Sequence, residues 1–318
     1  MNRYVTKPED LETTYAATRA GFLEIALRKN KEALPYIDEA KAVKVIADSH
    51  AHPRDLIADT RIKKALVEAA GISTKANNYL QNEDVEKIVL EFIKTYLEPA
   101  GANFAEELVY RFLLTKGDAL GGRMRNIAGA IANEKLTRFI AAQLRMQNIP
   151  HHFLLKDSVQ WMEAKTLSVE MFASVKAIRC DSSSGLRELI YNLTVPVVKK
   201  NIDISIFNAT TESLKTPTDK KIFFANPANY LALGELKGGV DPAGADEHWK
   251  TANTALDRIR NSFNKAHYLV HTFFVGSAIE ASMAKEIYAQ CVSSQLESCA
   301  NLSNDEQLAE LCCWLVLL

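Results

Sequence analysis

The sequence predicts a mixed α/β protein in which a helical part precedes a part built on a mixed β-sheet. Three observations carry that prediction. Apolar residues recur at helical spacing from residue 9 to about 149. After Pro150 the texture changes to short β-rich runs. Late in the chain an amphipathic helix lies between two strand-like runs, the pattern of a βαβ unit with its right-handed crossover. The 318 residues can bury one large core or two modest ones. A soft boundary near 150 therefore divides a mainly helical domain, 1–149, from a sheet domain, 150–318.

In chain order, PEDLETTYAATRAGFLEIALRKN places Leu11, Tyr15, Phe22, Ile25 and Ala26 at roughly helical spacing. PRDLIADTRIKKALVEAAG reads as a helix stopped by Gly71, and NEDVEKIVLEFIKTYLEPAG as one stopped by Pro99 and Gly101. NFAEELVYRFLLTKG runs into GDALGGRMRN, a glycine-rich break, and IAGAIANEKLTRFIAAQLRMQ resumes as helix. Then come β-rich runs at HHFLL, VQWMEA and VEMFASVKAIRC. A helix is expected over SSSGLRELIYNLTVPVVKK, ended by Pro196, and strands at NIDISIFNA, KKIFFA, NYLALGELKG and HYLVHTFFVG. Between the last two, Trp249, Ala252, Leu256, Ile259 and Phe263 fall on one helical face. The terminal LCCWLVLL is too short to span a bilayer and is expected as a docked last helix.

A composition of 47% apolar and 24% charged residues is that of an ordinary globular protein. A net charge of −1 gives no support to a non-specific nucleic-acid coat, so any polyanion site must be a local patch. The five cysteines (Cys180, Cys291, Cys299, Cys312, Cys313) lack C-x-x-C spacing, and MNRYVTKPEDLE is no signal peptide. They read as free thiols in a reducing cytoplasm, with no zinc site expected.

The chemistry-bearing stretch is Asn229–Lys250, NYLALGELKGGVDPAGADEHWK. On a strand, residues two apart share a face, so Leu231, Leu233, Glu235 and Lys237 point the same way. Acid-x-Lys triplets also begin at Glu39, Glu163 and Asp219. Glu39 lies in a helix, where i and i+2 diverge. Asp219 lies in a Pro/Thr-rich turn, and Glu163, after a short strand-like run, is the true rival. Metal-assisted phosphodiester hydrolysis needs two or three oxygen ligands and a positive group beside the scissile phosphate. Glu235 supplies one carboxylate, the Leu236 carbonyl a second oxygen and Lys237 the charge. Asp203 supplies a second carboxylate, from a strand whose other face holds Ile202, Ile204 and Ile206. Taken alone, Asp203 reads first as an exposed residue on an edge strand.

These residues, with GELKGGVDPAGADEHWKTANTALDRIR and GDALGGRMRN, resemble the AvaI/BsoBI family of type II restriction endonucleases. The likeness spans essentially the whole chain and belongs to the PD-(D/E)XK nuclease superfamily, with its mixed-sheet core. The resemblance implies Mg²⁺ held by Asp203 and Glu235, which the Leu236 carbonyl read above would join, with Lys237 stabilising charge or orienting water. It also implies a homodimer, double-stranded DNA as substrate, a degenerate CYCGRG target cut with 5′ overhangs, and a companion DNA methyltransferase in a bacterial cytoplasm. Ile202-Asp203 departs from the superfamily's Pro-Asp, which leaves Asp219 as a fallback.

The resemblance places His248 near the scissile phosphate, where an imidazole titrating near neutrality can take a proton. The alternative is a structural histidine beside Trp249. It likewise gives Asp241 a base edge to read, partnered by Lys75 from the helical domain. Local roles compete: Asp241-Pro-Ala-Gly244 is a good type I turn, Asp246 can cap the following helix, and Glu247, carried as a further DNA-binding candidate, favours its N-terminus. Arg123 and Arg125 beside Gly117, Gly121 and Gly122 suit phosphate contacts or an ordinary helix–helix turn. Lys63/Lys64, Lys199/Lys200 and Arg258/Arg260 read as solvated faces, and the remaining histidines as structural or surface residues.

Two other functions compete. A non-catalytic DNA-binding regulator would use the helical half but leaves the strand acids without a task. A phosphate-binding enzyme using GG-x-DPAG lacks both G-x-x-x-x-G-K-[ST] and G-x-G-x-x-G.

Overall fold

A computed structural model describes residues 1–124, 126–182, 185–212, 214 and 216–318. They form two compact units, one of residues 1–23 and 127–318, the other of residues 24–126. This division differs from a boundary near 150. Helix α6 (Ile127–Met146) buries Leu136, Ile140, Ala141 and Leu144 in a core shared with the sheet, so it belongs to the sheet unit. The first residues belong there too: buried Asn2 donates through Nδ2 to the carbonyls of Cys299 (3.0 Å) and Gln307 (2.7 Å).

The unit of residues 24–126 is helical, as the apolar spacing predicts. It holds most of α1 (Tyr15–Asp48), then α2 (Lys63–Ala69), α3 (Thr74–Asn77), α4 (Asn82–Phe92) and α5 (Phe104–Met124). Val43, Leu56, Leu66, Phe92, Leu108 and Phe112 form its core. The expected break in GDALGGRMRN falls at the end of that stretch, between Met124 of α5 and Ile127 of α6, and not at its glycines. Helix α5 continues through Gly117 and Gly121, because Leu108, Phe112 and Leu120, all buried at multiples of four, hold it. Each glycine inside it costs only about 1 kcal/mol relative to alanine.

The other unit is an eight-stranded sheet covered on both faces. The strands are β1 (His151–Leu155), β2 (Trp161–Glu163), β3 (Val175–Ser182), β4 (Gly185–Val195), β5 (Lys200–Phe207), β6 (Tyr230–Lys237), β7 (His271–Gly276) and β8 (Ser298–Asn301). Their spatial order is β2-β1-β3-β4-β5-β6-β7-β8, antiparallel as far as β6 and parallel from β6 to β8. Between them lie α7 (Pro217–Ala225), α8 (Ala245–Lys265) and α9 (Ala281–Val292), and α10 (Asp305–Leu317) follows β8. The expected βαβ unit is β6-α8-β7, and the greasy terminus is α10. On one face α8 and α9 pack Trp249, Leu256, Phe263 and Ile287 against Leu233 and Phe274. On the other, α6 and α10 pack against Ile204, Ile206, Ala232 and Phe273. Burial of each large apolar side chain contributes about 1.5–3 kcal/mol.

Two elements overturn the sequence expectation. SSSGLRELIYNLTV is not a helix: its described part from Gly185 is the long strand β4, with Leu189, Ile190 and Tyr191 buried on alternating faces between β3 and β5. The following Pro-Val-Val-Lys is a turn, closed by Lys199 N–H donating to the Val195 carbonyl at 2.8 Å with Lys199 at φ +58°. KKIFFA is not a strand but the body of α7. Thr216 caps it, its Oγ1 accepting from Asp219 N–H at 3.0 Å while Asp219 Oδ2 accepts from Thr216 N–H at 3.1 Å, with Pro217 in the first turn. Strand β5 therefore pairs directly with β6.

Candidate active site

The site is made by a fork between β5 and β6. Their ladder ends with Ile204 opposite Gly234, so Asp203 and Ile202 on one strand and Glu235 to Lys237 on the other do not pair with each other, although Ile202 still pairs with β4 and Glu235 to Lys237 with β7. The divergence also turns Ile202 toward the α8 side, whereas Ile204 and Ile206 pack on the α6 side. Leu231 likewise departs from the expected alternation and packs with the α6 and α10 cluster.

Inside the fork Asp203 replaces the missing ladder partner. Its Oδ2 accepts from the Leu236 backbone N–H at 2.9 Å and from Lys237 Nζ at 2.9 Å. Lys237 Nζ also donates to Glu235 Oε2 at 2.7 Å. The three side chains predicted to share chemistry thus meet on one ammonium. Glu235 is almost fully buried and the other two are half-buried.

One ammonium cannot neutralise two carboxylates. Burial, followed by the neighbouring Asp203 charge, pushes the Glu235 carboxyl up to about 7. Burial alone would lower the Lys237 ammonium, but the Glu235 and Asp203 charges outweigh it and raise it. The pocket therefore holds a permanent cation and calls for more positive charge. Because N–H and C=O of one strand residue point to the same side, the Leu236 carbonyl faces the same gap. Two converging carboxylates and a carbonyl are hard oxygen donors suited to a small divalent cation. Among the described residues there is no cluster of three or more His, Cys, Asp or Glu side chains that could hold a metal.

Packing holds the geometry. A Cβ on Gly234 would lie 2.3 Å from the Phe273 ring, one on Gly238 2.4 Å from the Ala128 carbonyl oxygen, and one on Gly239 2.8 Å from His248 Nε2. Glycine at 238 and 239 thus lets the chain leave β6 between α6 and the imidazole. Ser277 N–H donates to the Lys237 carbonyl at 2.9 Å and fixes the strand end.

His248 is exposed on the first turn of α8, its ring packed over that glycine loop. Asp241 is exposed and spends Oδ1 on Ala243 N–H at 3.0 Å, while Gly244 N–H donates to its carbonyl, the expected turn. Gly244, not Asp246, is the cap of α8; Asp246 instead pairs with Lys250, and Glu247 is exposed beside it. Lys75 is exposed on the short α3 of the helical unit. The Arg123 side chain and all of Arg125 lie outside the described residues.

The rival triplets separate from the site. Glu163 ends the edge strand β2, five strands from β6, which is about 24 Å at the usual interstrand spacing. Asp219 is engaged in the α7 cap and Glu39 pairs with Lys116. His267 is not on β7 but at φ +61° in the turn ending α8.

Over its whole length, residues 1–318, the chain matches the family described as Restriction endonuclease BsobI. The chain belongs to the BsobI restriction endonuclease family. It is 48% identical to the type II restriction enzyme BsoBI of Geobacillus stearothermophilus over 319 residues, covering 99% of this chain and 98% of that one. It is 43% identical to the AvaI enzymes of Nostoc sp. and Anabaena variabilis over 315 residues, with the same coverage. Membership in the BsobI family carries the activity class of site-specific DNA cleavage and leaves the non-catalytic regulator without support. Type II restriction endonucleases generally need a divalent metal. No helix among the described residues is long and apolar enough to cross a membrane.

Sequence reasoning missed a cleft beside Asp203, Glu235 and Lys237. It measures about 540 Å³ and is also lined by Lys200 from β5 on one side and by Lys250, Thr254 and Arg258 from α8 on the other. The signal was present: 250, 254 and 258 recur every four residues, flanking the apolar stripe of α8.

Proposed function

We propose that this protein is a Mg²⁺-dependent homodimeric endonuclease that cuts both strands of DNA at CYCGRG, leaving 5′ overhangs with 5′-phosphate and 3′-hydroxyl ends. The meeting of Asp203, Glu235 and Lys237 in the β5/β6 fork carries this reading. A palindromic target suits a two-fold dimer, and a chromosome carrying such sites calls for a companion methyltransferase in the same bacterial cytoplasm.

Asp203, Glu235 and the Leu236 carbonyl would hold Mg²⁺. When bound, the ion supplies a Lewis acid for a phosphoryl oxygen and favours ionisation of water. The protein's own groups do the rest. Glu235 must give up its proton near neutral pH before both carboxylates can serve as ligands. Lys237, held protonated, sits where it can neutralise charge growing on the scissile phosphate or orient the attacking water. His248, on the first turn of α8 with its ring beside Gly239, is the proton acceptor for that water. Asp241 and Lys75 make base-edge contacts, Glu247 adds a DNA contact beside Asp241, and Arg123 and Arg125 contact phosphates.

The test is digestion of a sequenced plasmid with Mg²⁺ and mapping of the ends. The expected outcome is cuts confined to CYCGRG, with Glu235→Ala slower by on the order of 10³-fold. Full activity in Glu235→Ala would remove the site, and loss of activity in Glu163→Ala would move it to the rival triplet.

A further inference from the structure

We infer that the cleft between β5 and α8 is a phosphate track, in which Lys200 and Arg258 hold backbone phosphates of the strand being cut, next to the scissile one. The inference rests on the endonuclease reading and extends it to how the strand is held.

Four cationic side chains line this cleft against two carboxylates. Two of the four are already committed, Lys237 to Asp203 and Glu235, and Lys250 to Asp246. Lys200 and Arg258 are exposed and have no ion-pair partner among the described residues. The contrast with Arg260, two residues on, is instructive. Its guanidinium is absorbed by Asp257 and the Gln295 carbonyl and braces α8 to the strand region. Arg258 has no such task and faces the cleft.

Surface cations on a protein of net charge −1 usually face balancing acids. Here the excess is positive, local and continuous with the carboxylates that would act on a phosphodiester. Lys250 and Arg258 lie eight residues apart on one helix flank, about 12 Å at 1.5 Å per residue. That length covers about three phosphates of one strand at 3.4 Å of duplex axis each. The opposite wall, with Lys200 three residues before Asp203, runs into the fork. A strand lying in the cleft therefore passes Arg258 and Lys200 and presents its next phosphate to Lys237. Lys200 and Arg258 are positioning residues, reading no base.

The experiment measures affinity of the full-length protein for duplexes with and without CYCGRG, as a function of KCl, with Ca²⁺ in place of Mg²⁺. Arg258→Ala and Lys200→Ala should each reduce the slope of log K against log salt by about 0.9. They should weaken binding to both duplexes by similar factors. Arg258→Lys should retain the wild-type slope, which a misfolded variant would not. Replacing single phosphates beside the cut by neutral methylphosphonates should weaken the wild type at one position where Arg258→Ala shows no further loss. Wild-type slopes in both alanine variants, or a slope change without any position at which the two perturbations overlap, would overturn the track. Cleavage by the wild type with Mg²⁺ is a separate readout. Its absence would refute the endonuclease reading, whereas cleavage with unchanged slopes would refute the track alone.

Discussion

Replacing Gly234 by alanine puts a methyl carbon where the Phe273 ring already is. The new Cβ would sit 2.3, 2.4 and 2.6 Å from three ring carbons, whereas carbon atoms need about 3.5–4.0 Å. The ring must retreat by more than about 1 Å, yet Phe273 is fully buried and Trp314 backs it at a centroid distance of 5.8 Å. Overpacking of this kind costs about 1–3 kcal/mol, and the lost flexibility of glycine returns at most about 1. The expected net loss is about 2 kcal/mol, or a melting temperature lower by roughly 4–8 °C for a unit of this size. The strand is the one that carries Glu235, so a shift of about 1 Å should also slow cleavage by on the order of 100-fold. Thermal unfolding and plasmid cleavage of Gly234→Ala, Phe273→Leu and the double variant test the cause. Removing ring atoms should relieve the clash, so the double variant should be more stable than the sum of the singles by about 0.5–3 kcal/mol. Strict additivity, or a Gly234→Ala protein melting with the wild type, would refute the steric account.

Three further outcomes follow from the site and its supports. Glu235 binds its proton more tightly folded than unfolded, so the stability it contributes is present below about pH 4.5 and is lost as pH rises to about 7. In metal-free buffer the stability of wild type relative to Glu235→Gln should fall by up to about 3 kcal/mol across that window, read by urea unfolding at several pH values; a flat difference would count against the buried charge. His248→Ala should lower the single-turnover cleavage rate by on the order of 10²-fold while leaving Kd for DNA nearly unchanged. An equal loss in binding would assign the histidine to DNA contact instead. Buried Asn301 donates to the Leu11 carbonyl at 2.9 Å and to Thr13 Oγ1 at 2.8 Å, so Asn301→Ala should cost about 1–3 kcal/mol in chemical unfolding with the same cleavage geometry.

The parts legible in the sequence were those with local signatures. The α8 stripe from Trp249 to Phe263 is buried throughout, as its spacing predicts. Glu235 and Lys237 share a face because strand periodicity requires it, and Asp203 stood out as the one acid in an apolar run. The misreadings had two sources. At α7 the capping box Thr216-x-x-Asp219 and Pro217 were present but were outweighed by the apolar Ile-Phe-Phe run. At β4, Leu-Arg-Glu-Leu-Ile fits a helix locally, and only the flanking β3 and β5 make it a strand, which no local pattern records. The fork itself was invisible for the same reason: where two strands stop pairing is a property of the pair. Lys200 and Arg258, 58 positions apart, read as solvated charges because only the tertiary fold brings them to one cleft.

The fork also sets a condition on anyone transplanting this chemistry into another scaffold. Grafting an aspartate, a glutamate and a lysine at matching positions of a flat, fully paired sheet would fail at the first step. There the amide that Asp203 accepts from, Leu236 N–H, would already be consumed by the neighbouring strand, and the carboxylate would have no anchor. The host must first be made to break one rung of its own ladder, by a bulge or a diverging hairpin, before the three side chains are introduced. In this protein the acid fills a vacancy that the backbone ladder leaves open.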